Sequence, residues 1–307
     1  MKHHTFWYAA AAALCAAWLL LPVHGAAARR VIDIGVEGAA DSCAELRVHS
    51  TGEVARAAES FSLSKAEAPT LQVNAPQHSV IRVRGWEQSH YGLEVCKIAA
   101  AEDTKTAGDL LNAISIAHTA GRFTVSGPAS DDGKWQAYVI VHAPKDASLD
   151  LETHNGPISV AGVSGTLKVR AVNGPISIHD SSGTLEANTA NGPISFSGGG
   201  GDVHLNAHNG PIALKLANDV WDGPGLQAST VNGPVSLRLP DKFRSGVHIE
   251  SSGHGPIHCG ASACAGASMN AAPGRRIIEW KGTNGTVRVS TDNGPIAVSG
   301  GKPTHII

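Results

Sequence analysis

One tetrapeptide, Asn-Gly-Pro-Ile, recurs along the second half of the chain at an almost fixed interval. Its complete copies begin at Asn155, Asn173, Asn191, Asn209 and Asn293. A near copy begins at Asn232, and a degenerate copy, His-Gly-Pro-Ile, begins at His254. The first four copies lie 18 residues apart. A short fixed period indicates that each repeat is one structural unit that stacks on the previous one.

Each repeat contains two segments in which apolar and polar residues alternate. The first segment precedes the motif, as in residues 149–153 (Leu-Asp-Leu-Glu-Thr), and the second follows the proline, as in residues 158–160 (Ile-Ser-Val). Alternation with a period of two predicts a strand with one buried face. The predicted inward ladders run in chain order and consist of Leu149, Leu167, Leu185, Val203, Leu226, Val247 and Val287, and of Ile158, Ile176, Ile194, Ile212, Val235, Ile257 and Ile296.

The residues between the two segments have the chemistry of a chain corner. Asn and Gly tolerate positive φ, whereas Pro fixes φ and donates no hydrogen bond. The predicted structural corner residues are Asn155, Gly156, Asn173, Gly174, Asn191, Gly192, Asn209, Gly210, Asn232, Gly233, Asn293 and Gly294. Asn-Gly alone favours a hairpin, but one register held over seven units favours a stack. The pattern therefore predicts an all-β fold, a single-chain β-solenoid of about 18-residue repeats.

The predicted repeats occupy residues 149–300, and the chain before them divides into three parts. Residues 1–28 have a polar start, an apolar run and small residues, which is the pattern of a signal peptide. For residues 29–70 we predict an irregular leader that contains a strand near residues 45–49. Residues 71–148 predict an N-terminal β cap of alternating strands, with a short helix near residues 101–111. No transmembrane segment is predicted after removal of the signal.

The end of the repeat region is less regular. Residues 260–276 form an excursion rich in Ala, Gly and Ser, and insertions in solenoids often collect on the functional face. Residues 301–307 form a tail without a recognised sorting motif.

Four cysteines follow the predicted signal, namely Cys43, Cys96, Cys259 and Cys264. An even number of cysteines in an exported chain favours disulfides. The simplest pairing is Cys43–Cys96 with Cys259–Cys264, because each bridge then stays within one region. The sequence leaves the other two connectivities open.

The strand at residues 138–144 ends in a Pro-containing turn and is followed by repeated strand–Asn-Gly–strand units. In this pattern, over roughly residues 71–300, the chain resembles a widespread bacterial family of unknown function that is usually labelled putative adhesin. The resemblance implies an exported β-solenoid or roll with a surface or adhesion-like role. It supplies no catalytic residues.

Several residue groups suggest chemistry, and each has a simpler structural explanation. His254, His258, Cys259 and Cys264 have the chemistry of metal ligands, but a disulfide with two corner histidines accounts for them in an exported chain. His204 and His248 are expected on one outward ladder, two rungs apart with Gln227 between them. The corner carboxylates Asp180, Asp202, Asp219, Asp222 and Asp241 lie on different rungs, whereas a glycosidase needs two carboxylates across one bond. We therefore predict no catalytic residues, no metal and no cofactor.

Small outward residues after the prolines form a candidate surface strip, which consists of Ser159, Ser177, Ser195 and Ser236, with Ala213 in the same row. Polarity compatible with a β-strand explains these residues; the functional interpretation is a packing face for a glycan, a partner or a second copy of the chain.

These observations predict a non-enzymatic exported protein of the periplasm, the cell envelope or the extracellular space. It acts as an adhesin or a scaffold that presents a repetitive β-solenoid surface. The expected partners are an envelope polysaccharide, a surface protein or another copy of the chain. Nucleic acid is not expected, since no basic patch or aromatic platform is found. The alternative function is a polysaccharide-active enzyme, a lyase or a hydrolase, on a β-helix.

Overall fold

The computed structural model describes residues 31–37, 40–75, 79–129, 133–253 and 255–301. The predicted signal peptide, His254 and most of the predicted tail lie outside the described residues. All of the secondary structure below belongs to one compact unit, Ile32–Ile307. No helix in the described part of the chain is long and apolar enough to cross a membrane.

Strands make up most of the described chain. The strands up to the first corner are β1 Ile34–Glu37, β2 Arg47–Ser50, β3 Glu53–Ser64, β4 Leu71–Ala75, β5 Ser79–Trp86, β6 His90–Ala101, β7 Ser115–Thr119, β8 Arg122–Ser126, β9 Gly133–Pro144 and β10 Ser148–Asn155. The regular repeats contain β11 Ile158–Ala161, β12 Thr166–Asn173, β13 Ile176–His179, β14 Thr184–Asn191, β15 Ile194–Gly198, β16 Gly200–Asn209, β17 Ile212–Leu216, β18 Asp222–Asn232 and β19 Val235–Leu239.

The last strands are β20 Val247–Ser251, β21 Ile257–Cys259, β22 Ser268–Ala272, β23 Arg275–Trp280, β24 Thr286–Asn293 and β25 Ile296–Gly300. One α-helix, α1, spans Thr104–Ala113, and short 3-10 helices span Cys43–Glu45 and Ser262–Gly266. The fold of the described residues is thus all-β.

Two large sheets contain all strands except β1 and β2. Sheet I has the order β22-β23-β20-β24-β18-β16-β14-β12-β10-β4-β8-β7. Sheet II has the order β21-β25-β19-β17-β15-β13-β11-β5-β9-β6-β3. The segments before the Asn-Gly corners lie in sheet I and the segments after the prolines lie in sheet II, so the chain changes sheet at each corner.

Neighbouring repeats pair in parallel with like positions opposite each other. Leu149 lies opposite Leu167, which lies opposite Leu185 on its other side. Ile158 lies opposite Ile176 in sheet II in the same way. These apolar residues belong to one buried core to which both sheets contribute, as the alternation in the sequence predicts.

The regular pairing extends upstream of the first corner motif. Leu71 lies opposite Leu149, and Ile81 lies opposite Ile158, both in parallel strands. Beyond these strands, β8 and β7 continue sheet I, and β9, β6 and β3 continue sheet II. Residues 71–86 thus pair as a further rung, although they lack the Asn-Gly-Pro motif.

The last rungs do not follow the chain order that the sequence predicts. Leu226 pairs with Val287, and Val247 pairs with the other side of Val287, so β24 lies between β18 and β20. In sheet II, β25 lies between β19 and β21. The predicted ladder order is therefore wrong at this end. β24 pairs with β18 from Gly225 as far as the corner, where Asn232 lies opposite Asn293, whereas β20 ends at Ser251, three residues before the degenerate corner.

The segment before residue 70 contains more regular structure than the predicted irregular leader. β1 and β2 form an antiparallel pair, and the 12-residue strand β3 is the last strand of sheet II. Residues 40–46 pack with Tyr138 and Ile140 in a second, smaller core cluster. The sequence does not indicate β3, because this strand is rich in Ala and Ser, which have a weak preference for strands.

Candidate functional site

The corner asparagines form a continuous ladder of side-chain hydrogen bonds. The Nδ2 of Asn173 donates to the Oδ1 of Asn155 at 2.9 Å, and Asn191 donates to Asn173 at 2.8 Å. Asn209, Asn232 and Asn293 extend the ladder with donor–acceptor distances of 3.0, 2.9 and 3.0 Å. Each inner amide donates one bond and accepts one, so the ladder links consecutive rungs at the corner.

The corner glycines are required by the close approach of the rungs. A Cβ atom on Gly174 would lie 2.1 Å from the carbonyl oxygen of Gly156, and one on Gly210 would lie 2.1 Å from that of Gly192. The sequence suggests glycine for its tolerance of positive φ. Of the six predicted corner glycines, however, Gly192 alone has a positive φ. Contact between backbones, rather than φ, excludes a side chain here.

The candidate serine strip lies on the outward face of sheet II, in the register of the repeats. Ser159, Ser177 and Ser195 occupy neighbouring strands, and Ala213 separates Ser195 from Ser236. The Oγ atoms of Ser177 and Ser195 are 3.0 Å apart. The strip is a row of small residues, and its function stays a prediction.

A polar groove lies on the outward face of sheet I, and we call it the amide groove. It has a volume of about 380 Å³ and is lined in part by Asn188, Asn206, Ser229 and Ser290, which occupy one row across β14, β16, β18 and β24. Asn206 donates to Asn188 at 3.0 Å, and the Ser229 hydroxyl donates to Asn206 at 2.7 Å. Hydrogen bonds between amide and hydroxyl groups thus connect side chains on neighbouring strands.

A larger cavity, of about 720 Å³, lies at the end of sheet I, and we call it the terminal cavity. Arg288, His248, Glu279 and Ser268 line it and are consecutive cross-strand partners on β24, β20, β23 and β22. Trp280, Lys281 and three glycines also line it. The cavity forms where the chain after β21 returns to sheet I as the β22–β23 hairpin, whose strand β23 pairs with β20.

His248 lies between two carboxylates next to this cavity. Its Nδ1 is 3.1 Å from an oxygen of Glu279, and its Nε2 is 3.5 Å from an oxygen of Glu250. Glu250 also pairs with Arg275 at 2.6 Å. The hydrogen bond from Arg275 lowers the pKa of the Glu250 carboxyl, partial burial opposes this effect, and His248 adds to the lowering.

The predicted spacing of His204 and His248 is wrong. They occupy one outward row, but Gln227 and Arg288 both lie between them, so they are three rungs apart. The insertion of β24 between β18 and β20 adds the extra rung. His204 instead contacts Asp202 on its own strand, at 3.1 Å.

Both disulfides are present in the simplest pairing, Cys43–Cys96 and Cys259–Cys264. Cys259 and Cys264 are therefore not thiolate ligands, and His258 is exposed beside them. No group of three or more His, Cys, Asp and Glu side chains suited to a metal occurs among the described residues.

The main chain of each corner aspartate takes part in a turn or in a hydrogen bond. Asp180 has a φ of 49°, a turn conformation that Asp tolerates. The main-chain oxygen of Asp219 accepts from the Arg244 amide at 2.8 Å, and that of Asp241 accepts from the Ser262 hydroxyl at 2.7 Å.

Apart from His248, sequence reasoning misses the residues of the terminal cavity and of the amide groove. Trp280 ends the β22–β23 hairpin and Lys281 follows it, and the pairing of β23 with β20 that places Glu279 beside His248 is not predicted. One signal is available in the sequence, since the excursion at residues 260–276 marks the region where insertions are expected to carry function.

No family model matches the chain, and no curated protein matches it. Among solved structures, it is similar to a putative adhesin from Bacteroides fragilis, with 11% identity, a TM-score of 0.43 and coverage of 80% of this chain and 97% of the other. A putative cell adhesion protein from Clostridium sporogenes has 10% identity, a TM-score of 0.32 and coverage of 80% and 100%.

A putative lipid binding protein from Parabacteroides distasonis has 8% identity, a TM-score of 0.26 and coverage of 82% of this chain and 96% of the other. At these identities and TM-scores the similarities support no functional assignment.

Proposed function

We propose that the chain is an exported cell-envelope protein that holds a polysaccharide on its repeated polar surface, in an adhesion or scaffolding role and without cleaving it. The observation that carries this proposal is the row of amide and hydroxyl groups along the amide groove. Groups that recur at the strand spacing of about 4.8 Å offer a regular series of donors and acceptors to the hydroxyls of an extended sugar chain.

The proposed architecture is a β-solenoid of about 18-residue turns, with residues 71–148 as its N-terminal cap. It is supported by the in-register pairing of residues 18 positions apart, as in Ser177 with Ser195. In such a stack every further turn adds one member to each outward row, so the binding surface lengthens with the number of repeats.

We place the protein outside the cytoplasm, in the periplasm, in the cell envelope or in the extracellular space. Two disulfides support this location, because disulfides form and persist in oxidising compartments. The apolar run at residues 6–21 supports export through a cleaved signal peptide.

A second candidate function is a polysaccharide-active enzyme. The position of His248 between Glu250 and Glu279, beside the terminal cavity, favours it. Imidazole and carboxylate groups are the common general acids and bases of enzymes. This candidate differs from the first in one measurable respect, which is the appearance of new polysaccharide chain ends.

A surface protein or a second copy of the chain are the other proposed partners. The serine strip supports them, since its row of small residues leaves a flat face on sheet II. Binding at the strip and binding at the amide groove are separable, because they lie on different sheets.

The test uses full-length protein recovered from the envelope fraction of an expressing bacterium. Retention on a panel of envelope and extracellular polysaccharides and the release of new chain ends are measured in the same tubes. One variant carries Asn206→Ala with Ser229→Ala in the amide groove. The matched variant carries Ser177→Glu with Ser195→Glu on the opposite sheet.

We expect retention without new chain ends, and we expect the groove variant to lose retention while the strip variant keeps it. New chain ends would replace this function with the enzymatic one. Absence of retention on every polysaccharide would overturn the proposal; association of the wild-type chain that the strip variant lacks would then identify self-assembly as the function.

A further inference from the structure

The terminal cavity has the size of a small-molecule site and an unusual set of lining residues. Its volume of about 720 Å³ falls within the range of about 300–1,000 Å³ that is typical of ligand pockets. Two cations, an aromatic residue and a carboxylate–imidazole pair line it. A site for water or for an inorganic anion alone would be far smaller.

The two cations of the cavity are available for a ligand. Arg288 and Lys281 both line it, and neither takes part in an ion pair among the described residues. Glu279, the acidic residue of the lining, already contacts His248 at 3.1 Å. The cavity therefore carries positive charge that Glu279 does not neutralise. A guanidinium group is suited to bind a carboxylate through two parallel hydrogen bonds.

Trp280 supplies both an apolar surface and a donor without an acceptor. Its indole Nε1 is buried and has no hydrogen-bond partner among the described residues. Such groups in a native fold call for an explanation. The indole ring of Trp280 lines the cavity and offers an apolar face to a ligand.

The cavity adjoins the amide groove. Arg288 of the cavity and Ser290 of the groove lie two residues apart on β24 and therefore on the same face of sheet I. Two residues along a strand span about 6.6 Å. One extended polymer can thus contact both the groove and the cavity.

We propose that the terminal cavity binds a carboxylate-bearing sugar unit of the polysaccharide that lies along the amide groove, with Arg288 and Lys281 facing the carboxylate and Trp280 facing the sugar ring. This inference rests on the proposed function. It adds that the polysaccharide is acidic and that its charged unit is recognised at the end of sheet I.

The test measures the binding of three matched probes to the full-length protein by isothermal titration calorimetry. The probes are an oligomer of galacturonate, the same oligomer fully methyl-esterified, and a neutral maltooligosaccharide of equal length. The cavity variants are Arg288→Gln, Lys281→Gln and Trp280→Phe, and the last of these keeps an aromatic ring but removes the N–H donor. The matched control is Arg122→Gln, which removes an exposed arginine from the other end of sheet I.

We expect the galacturonate oligomer to bind most tightly and its methyl ester to bind as weakly as the neutral oligomer. Loss of a charge-assisted hydrogen bond in Arg288→Gln should weaken galacturonate binding by roughly 10- to 150-fold. Arg122→Gln should have no effect, and added salt should weaken the binding of the wild-type protein.

Equal affinity for the acid and its methyl ester, or an Arg288→Gln variant that binds like the wild type, would overturn the inference. Either result leaves the proposed function standing if the neutral oligomer still binds and that binding is lost in the amide-groove variant. Absence of binding to all three probes would overturn the inference as well as the assignment of the groove to these sugars. Circular dichroism of each variant separates loss of binding from loss of fold.

Discussion

Replacing Gly174 by alanine should destabilise the stack through a single methyl group. The new Cβ atom would lie 2.1 Å from the carbonyl oxygen and 2.7 Å from the carbonyl carbon of Gly156, so the two backbones must move apart by about 1 Å to reach van der Waals contact. The amide of Gly156 donates to the Asn173 oxygen at 3.1 Å, and the Asn173 side chain donates to Asn155 at 2.9 Å. A movement of this size would break both bonds.

The expected cost follows from these contacts. Overpacking costs about 1–3 kcal/mol, and each lost hydrogen bond costs about 1 kcal/mol. Since moving the backbones relieves part of the overpacking, the sum is about 2–4 kcal/mol. The measurement is the midpoint of urea unfolding, followed by circular dichroism with both disulfides intact, because a lower midpoint at an unchanged slope reports lower stability.

A second glycine provides a control of opposite sign. Gly108 lies within α1, and a Cβ atom there would have no heavy atom within 4 Å. Gly108→Ala should therefore stabilise the protein, by about 0.5–1 kcal/mol, through helix propensity alone. The reasoning fails if Gly174→Ala unfolds at the wild-type urea concentration, or if the two substitutions shift the midpoint in the same direction.

Two further predictions concern the disulfides and the response to pH. Replacing Cys43 and Cys96 by serine opens a loop of sequence separation 53, and we expect the unfolding free energy to fall by about 4 kcal/mol. Replacing Cys259 and Cys264 by serine opens a loop of separation 5 and should cost roughly half as much. Equal urea midpoints for these two double variants would contradict this ordering. Burial, with a smaller contribution from Asp146, raises the pKa of the Tyr91 phenol. The stabilisation from a neutral Tyr91 is fully present below the unfolded-state pKa of about 10 and is lost as pH rises through the higher folded-state pKa. Urea midpoints measured above about pH 10 should thus fall less for Tyr91→Phe than for the wild type, and parallel curves would refute this role of Tyr91.

Much of the repeat structure is determined by the sequence alone. Alternation with a period of two specifies which face of each segment is buried, and Leu149 and Leu167 do lie in the core opposite each other. The cysteine positions favour the observed bridges on the simple ground that each stays within one region. These features depend on local patterns, which a short stretch of sequence contains in full.

In the leader, the strand predicted near residues 45–49 overlaps β2, but β3 is not indicated by the sequence. β3 is stabilised by its pairing with β6 along 12 positions, including Ala58 with Cys96. Its own residues give weak strand signals, so the preference for extended structure comes from a partner about 40 residues away in the chain. Sequence reasoning that works on short windows does not detect such a partner.

The order of the last rungs was decided only by the tertiary structure. β20 and β24 carry equivalent inward residues, Val247 and Val287, and either could pair with Leu226 by apolar pattern alone. Asn293 favours β24, because its amide extends the corner ladder from Asn232. That choice displaces β20 to the far side of β24, where β23 pairs with it, so that Glu279 lies beside His248 in the lining of the terminal cavity. The sequence therefore determined the repeating unit and its buried face, whereas competition between two similar rungs for one sheet edge determined where the candidate binding residues meet.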